Sequence, residues 1–164
     1  MGAFNHKCFP ACMRYLAADE LGSCAAFIEE AKRMTTYATC KKSQRGVVFT
    51  KRQQIVGRGY NGPPRGFSCL CDVDPAVCGK CSVHAEKRAL FEALPYGVPD
   101  RGYHMKRKGG LYVASVCPAC LECSKDMLEV GVKEFVLQQQ EGFVLYDMHE
   151  FHKLTLRHVL SCYK

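Results

Sequence analysis

Tryptophan is absent from this chain of 164 residues, and its Tyr and Phe residues are scattered rather than interleaved with Arg and Lys. That argues against a dedicated platform for stacking single-stranded nucleic acid. No apolar run approaches the roughly 18 residues of a membrane-spanning helix, so no membrane association is expected. Met1 to Met13 carries His6, Lys7 and Cys8 but no apolar leader core, so export is not expected either. Internal repeats are lacking, and low complexity is confined to Gln138-Gln139-Gln140. Acidic residues are the scarcer sign, 16 against 23 basic ones, which leaves a formal charge of +7. Such a balance favours an anionic partner, a mononucleotide phosphate or a nucleic acid, without choosing between them. Cysteine is the residue in excess, at 12 of 164. With no export signal, these thiols read as reduced metal ligands in a cytoplasmic protein rather than as a disulfide framework. The length suits a single domain over 1–164, able to bury roughly 70% of its unfolded surface.

Taken in order, residues 1–40 read as helical, with an N-terminal helical extension over about 1–24. Arg14–Leu21 and Ala25–Met34 are rich in Ala, Leu, Glu and Lys, and Gly22-Ser23 marks a break between them. Cys8, Cys12 and Cys24 read as small buried hydrophobes before they read as ligands. Gly46–Thr50 and Gln54–Tyr60 form a hairpin around Lys51-Arg52-Gln53. The loop Gly59–Gly66 is fixed by Gly and Pro. No helix or strand is expected among the cysteines at 69–81, so something else must order them. A helix follows from Val83 to Leu94, with Ser82 as its cap. Residues 95–110 read as a basic, Gly- and Pro-containing loop that includes Lys106-Arg107-Lys108. Leu111–Val116 reads as a covered strand, Pro118–Val130 as a helix stopped by Gly131, and Val132–Gln138 as a strand. Alternation of strand and helix from residue 110 implies a parallel portion in the sheet. A short strand, Phe143–Tyr146, and a final helix carrying His149, His152 and His158 complete the chain; these histidines read as surface or core residues.

Chemistry concentrates in two segments, Cys78-Gly79-Lys80-Cys81-Ser82-Val83-His84-Ala85-Glu86 and Cys117-Pro118-Ala119-Cys120-Leu121-Glu122-Cys123. One histidine and two cysteines make a three-ligand zinc site with a fourth position open, the pattern of catalytic rather than structural zinc. Zinc there lowers the pKa of water, and a nearby carboxylate can move its protons. Cys120 and Cys123 are three apart at the start of a helix, where thiolates are favoured. Cys117 with Cys120 is a competing pair at the same spacing. His84 and Glu86 are two apart, which a regular helix would point to different sides. Cys69, Cys71, Cys78 and Cys81 suit a second, four-thiolate structural zinc, or remain unligated thiols. A purely structural zinc, a non-catalytic zinc-binding module and a deaminase of another nucleoside, nucleobase or nucleic acid are the competing readings.

The H-x-E of His84–Glu86 followed by C-x-x-C resembles the cytidine deaminase superfamily, whose zinc sites carry this signature. Gly59-Tyr60-Asn61-Gly62-x-Pro64-x-Gly66, Val83-His84-Ala85-Glu86, and Leu111-Tyr112-Val113-Ala114 leading to Gly131-Val132-Lys133-Glu134 resemble the deoxycytidylate (dCMP) deaminases within it. The resemblance implies an α/β fold of three layers, α-β-α, around a central mixed sheet of roughly five strands. It implies zinc held by His84, Cys120 and Cys123, the spacing from Cys123 to Gly131 matching the family. Glu86 would shuttle protons, Asn61 bond the deoxyribose, and the backbone of Ala85 form part of the base pocket. Hydrolysis of dCMP to dUMP and ammonia is the implied reaction. Homo-oligomers, often hexamers, and regulation by dCTP and dTTP are implied with it. Two positions depart from the pattern: Ala119 stands where proline precedes the first cysteine, and Arg88 where asparagine follows H-A-E-x. Arg65, the cation nearest Asn61 in its loop, is the first candidate for reading a phosphate, and Arg88 the second.

Overall fold

The computed structural model describes residues 13–115 and 120–162, with the side chains of Cys78, His158, Ser161 and Cys162 left aside. Cys8, Cys12, and the competing ligand Cys117 with Pro118 and Ala119 lie outside the described residues. The chain runs β1 (Met13–Tyr15), α1 (Ala18–Thr35), β2 (Gln44–Lys51), β3 (Gln54–Tyr60), α2 (Pro75–Cys81) and α3 (Ala85–Ala93). It continues through β4 (Arg101–Lys108), β5 (Leu111–Tyr112), α4 (Leu121–Val130), β6 (Glu134–Gln139), β7 (Gly142–Asp147) and α5 (Met148–Cys162).

One mixed sheet of seven strands in the order β1-β7-β6-β4-β2-β3, with β5 appended to β4, forms the middle layer. β4 and β6 are parallel, joined through α4, and the other pairs are antiparallel. The strand count exceeds the expected five through β1, which adds an edge beside β7, and β5, folded back by Gly109-Gly110 at positive φ. α1 covers one face of the sheet, where Ile28, Ala31 and Met34 pack with Val48, Tyr103 and Val136. The opposite face meets α3, α4 and α5 through Ala89, Met127 and Phe151 around Phe49 and Phe135. Val47, Val48 and Phe49 are consecutive and all solvent-free, as a strand covered on both faces requires.

The structure departs from the sequence expectations at several elements. The described part of the expected helical extension, residues 13–24, holds a strand and the first turns of α1. α1 also runs unbroken through Gly22-Ser23. A glycine inside a helix costs about 1 kcal/mol, and burial of Cys24, Ile28, Ala31 and Thr35 along one stripe outweighs it. The parallel central strand is Arg101–Lys108 rather than Leu111–Val116, and of the described residues 111–115 only Leu111–Tyr112 are strand. Lys106-Arg107-Lys108 made this stretch read as loop, yet the basic residues sit at its end while Gly102, Tyr103, His104 and Met105 are buried. Residues 75–81, expected to lack regular structure, form α2. Asp74 Oδ1 accepts from Ala76 N at 2.9 Å, and Pro75 supplies a preset first turn.

Candidate active site

Two helix N-termini converge on the site. α3 can lie close against β3 because Gly57 and Gly59 leave room: a Cβ at Gly59 would stand 2.1 Å from Ala85 O. The loop after β3 is tied to the residue before His84 by two backbone bonds, Val83 N to Gly62 O at 2.8 Å and Gly62 N to Val83 O at 3.2 Å. His84 is therefore the N-cap of α3 in extended conformation (φ −73°, ψ 150°), and Glu86 lies in the first helical turn. The two-residue spacing is thus not a helical one. His84 and Glu86 line one cavity of about 330 Å³, together with Cys120, Asn61, Lys42 and Arg45.

α4 begins the same way, with Cys120 as N-cap and its Sγ accepting from Cys123 N at 3.4 Å. His84 Nδ1 stands 3.2 Å from Cys120 Sγ and 3.2 Å from Cys123 Sγ, and the two sulfurs are 3.3 Å apart. Lys87 on α3 and Asp126 on α4 form an ion pair at 3.2 Å that braces the two helices against each other. Among the described residues this is the one cluster of three such donors able to hold a metal ion. One imidazole nitrogen and two sulfurs fit zinc. Tetrahedral zinc spaces such donors about 3.5–3.8 Å apart, so the triangle has to open by only a few tenths of an ångström. Its electrostatics already favour a thiolate. The hydrogen bond shared with the Cys123 sulfur, aided by His84 and by Cys123 N–H, holds the Cys120 thiol down at about 4 against its burial. The same sulfur–sulfur bond, with burial, raises Cys123, so the proton of the pair sits there. His84 is raised by its bond to Cys120. Metal binding displaces such protons.

Glu86 is 3% exposed. A carboxylate is rarely buried without a partner or a task. The family model for the cytidine and deoxycytidylate deaminase zinc-binding region matches residues 23–139, a span that contains the whole constellation. The chain belongs to this deaminase family. A deoxycytidylate deaminase of Schizosaccharomyces pombe (strain 972 / ATCC 24843) is 29% identical over 125 residues, covering 67% of this chain and 35% of that protein. This chain therefore spans about a third of that relative's length. The dCMP deaminase of cyanophage S-TIM5, solved in complex with dCMP and dUMP, superposes with a TM-score of 0.52 at 22% identity, covering 68% of this chain and 76% of its own. The cytidine deaminase of Burkholderia pseudomallei gives 0.55 at 19% identity, covering 77% and 94%. The deaminase fold is common to all three structures.

Against this deaminase scaffold the remaining nominated residues fall into separate groups. Ala85 is fully buried at the start of α3. Asn61 lines the cavity, but its amide is engaged with backbone: Oδ1 accepts from Arg45 N at 2.7 Å and Nδ2 donates to Ser43 O at 3.0 Å. One N–H of that amide remains to face a ligand. Arg65 is exposed and lines a different cavity, with Arg58, Tyr60 and Arg88. Arg88 stacks its guanidinium 4.7 Å over Tyr60 and donates to Pro63 O, so it clips the glycine–proline loop from outside. The cations lining the Glu86 cavity are Lys42 and Arg45, which the sequence reading missed. Their signal was faint: Lys42 precedes β2 and Arg45 lies within it, both distant in sequence from the motifs.

Of the expected four-thiolate set, the Cys78 side chain lies outside the described residues, which leaves Cys69, Cys71 and Cys81. Cys71 Sγ lies 3.8 Å from Cys40 Sγ, Cys81 is exposed, and Cys69, Cys71 and Cys81 form no cluster of three donors. Lys41 pairs with Asp72, tying this segment to the chain after α1. His152 is no ligand here; its Nδ1 meets Ser124 Oγ at 2.8 Å and joins α5 to α4. No helix among the described residues is long and apolar enough to cross a membrane.

Proposed function

We propose that this chain is a zinc-dependent hydrolytic deaminase of a cytosine mononucleotide, with dCMP as substrate and dUMP and ammonia as products. The observation that carries the reading is Glu86, buried in the same cavity as the His84/Cys120/Cys123 donors and beside two cations. His84, Cys120 and Cys123 hold the metal. Zinc, when bound, supplies the Lewis acidity that lets water lose a proton near neutral pH. Glu86 takes that proton and delivers it to the ring nitrogen, then takes the second proton from the new C4 hydroxyl and passes it to the exocyclic amine. The new C4–O bond forms, the C4–N bond breaks, and ammonia leaves. Burial of Glu86 keeps bulk water away from this exchange.

Ala85 and the spare N–H of Asn61 shape the base and sugar sides. Arg45 and Lys42 replace Arg65 as the groups assigned to the substrate phosphate, because they share the Glu86 cavity and Arg65 does not. An arginine grips phosphate through paired charge-assisted hydrogen bonds. The absence of Trp and of an aromatic–basic stripe favours a mononucleotide over a nucleic acid. The test is ammonia release by zinc-loaded protein from dCMP, CMP, deoxycytidine and a cytosine-containing oligonucleotide. dCMP should be turned over fastest and the oligonucleotide not at all. Turnover of the oligonucleotide in preference, or of none of the four, would refute the reading.

A further inference from the structure

A polar relay lies against Glu86, and no step of the proposed reaction uses it. His104, in the middle of β4, is buried to 2% exposure. Its Nε2 points at Glu86 Oε1 from 3.8 Å, and among the described residues it is the one basic side chain within 4.0 Å of that carboxylate. The same Nε2 has no hydrogen-bond partner, an uncommon state for a buried ring nitrogen. The other nitrogen, Nδ1, is 3.1 Å from Ser115 Oγ. Ser115 is fixed in turn: its N–H donates to Gln138 O at 2.9 Å, and its carbonyl accepts from Gln139 Nε2 at 3.0 Å. That amide also reaches the Tyr146 hydroxyl at 3.2 Å.

We propose that His104 is a positioning residue for Glu86, its Nε2–H donating to Oε1 so that Oε2 alone carries the transferred proton. The inference rests on the deaminase reading of the site. Two neutral tautomers exist for the ring. With the proton on Nδ1, a lone pair on Nε2 would face the carboxylate across a dry gap, and the two would repel. With the proton on Nε2, the Ser115 hydroxyl donates to Nδ1 and every polar atom of the ring finds a partner. Movement of either side chain by about 1 Å brings the contact to hydrogen-bond length. Burial holds the ring down at about 4, so it bears a single proton in neutral solution. The Glu86 carboxylate, an acceptor only, draws that proton to Nε2, and the Ser115 hydroxyl can turn to donate to Nδ1. Fixing one oxygen of a bidentate group halves the orientations it samples. The effect belongs to turnover rather than to substrate binding.

The experiment uses the full chain loaded with zinc and the variants His104→Leu, His104→Gln and Ser115→Ala. It measures zinc per chain, melting temperature, and kcat and KM on dCMP. His104→Leu should keep zinc and melt no lower, because it removes an unpartnered polar atom from an apolar setting beside Phe135. It should lose roughly 10- to 100-fold in kcat with KM little changed, the range for partners that orient a functional group. His104→Gln, whose amide can offer an N–H near the same place, should recover part of that loss, and Ser115→Ala should show a smaller one. Independently of turnover, nitrogen NMR of the unchanged protein should report the Nε2–H tautomer, with a signal displaced by Glu86→Gln. A His104→Leu variant that keeps both zinc and kcat, or a ring protonated on Nδ1, would overturn the proposal even if the variant series folds poorly. Failure of the unchanged protein to release ammonia from any cytosine substrate would instead refute the deaminase reading and remove the basis of the proposal.

Discussion

The chain carries two C-x-x-C segments in which helices meet cysteines, and they end differently. Cys120 and Cys123 sit at the N-terminus of the ten-residue α4, where unpaired N–H groups and the helix dipole favour thiolates, and Cys123 is part of the main core. Cys78 lies midway along the seven-residue α2 and Cys81 is its last residue, where the dipole disfavours a thiolate, and Cys81 is exposed. The first pair also receives a third donor, His84, from a second helix locked in place by β3 glycines and the Lys87–Asp126 ion pair. The second segment is held by Asp74 capping and by Lys41–Asp72, contacts that need no metal. At Cys120 and Cys123 the spacing is joined by a helix N-terminus and an independent third donor, which the spacing alone does not encode.

The sharpest way to break this comparison is to remove one sulfur from each segment. Cys123→Ser should abolish stoichiometric zinc and all turnover and lower the melting temperature, whereas Cys81→Ser should leave all three unchanged. Metal analysis and thermal melts check it, and zinc loss from the Cys81 variant would mean that the cysteines at 69–81 hold a metal as well.

Much of this contrast could be read in the sequence, but not all. His84, Glu86, Cys120 and Cys123 stand out because their residue types are chemically rare and their spacing is local. The layered fold came with the family resemblance, while apolar runs such as Val47–Phe49 and Phe135–Leu137 marked individual strands. What stayed hidden depends on tertiary contact or on backbone state. The shared cavity of His84 and Glu86 requires the extended N-cap conformation of His84, which spacing does not encode. β4 was obscured because its polar end, Lys106–Lys108, follows a buried Gly-Tyr-His-Met run too short to show alternation. The approach of Cys71 to Cys40 joins residues 31 apart, and Arg45 enters the cavity from a strand with no motif of its own.

A second prediction concerns the cations on either side of the glycine–proline loop. Arg45→Ala should lower kcat/KM for dCMP by about 10- to 100-fold, as loss of a charge-assisted contact of roughly 1.5–3 kcal/mol implies, with little change on deoxycytidine. Arg65→Ala should leave both substrates within about twofold, since it lines the neighbouring cavity. The opposite pattern would return the phosphate to Arg65.

A smaller effect separates the core behind the site from the exposed cysteine segment. The folded His104 ring stays neutral down to about 4, while its unfolded counterpart takes a proton below about 6.5. Stability supplied by the neutral ring is thus complete above about pH 6.5 and is lost as pH falls toward 4, by up to about 3 kcal/mol. Denaturant unfolding at pH 7 and pH 4.5 should show the stability of His104→Leu relative to the unchanged protein rising in acid, with the Leu variant the less acid-sensitive. Equal acid sensitivity in both would remove His104 as its source.

The most direct measurement of the central claim is zinc content beside dCMP turnover in Glu86→Gln. The amide preserves size and fills the same buried space but cannot accept and return a proton. Zinc should remain at the unchanged protein's level while ammonia release falls by about 10²- to 10⁴-fold. Full turnover by a zinc-loaded Glu86→Gln variant would contradict the assignment of this carboxylate, and with it the hydrolytic centre built around it.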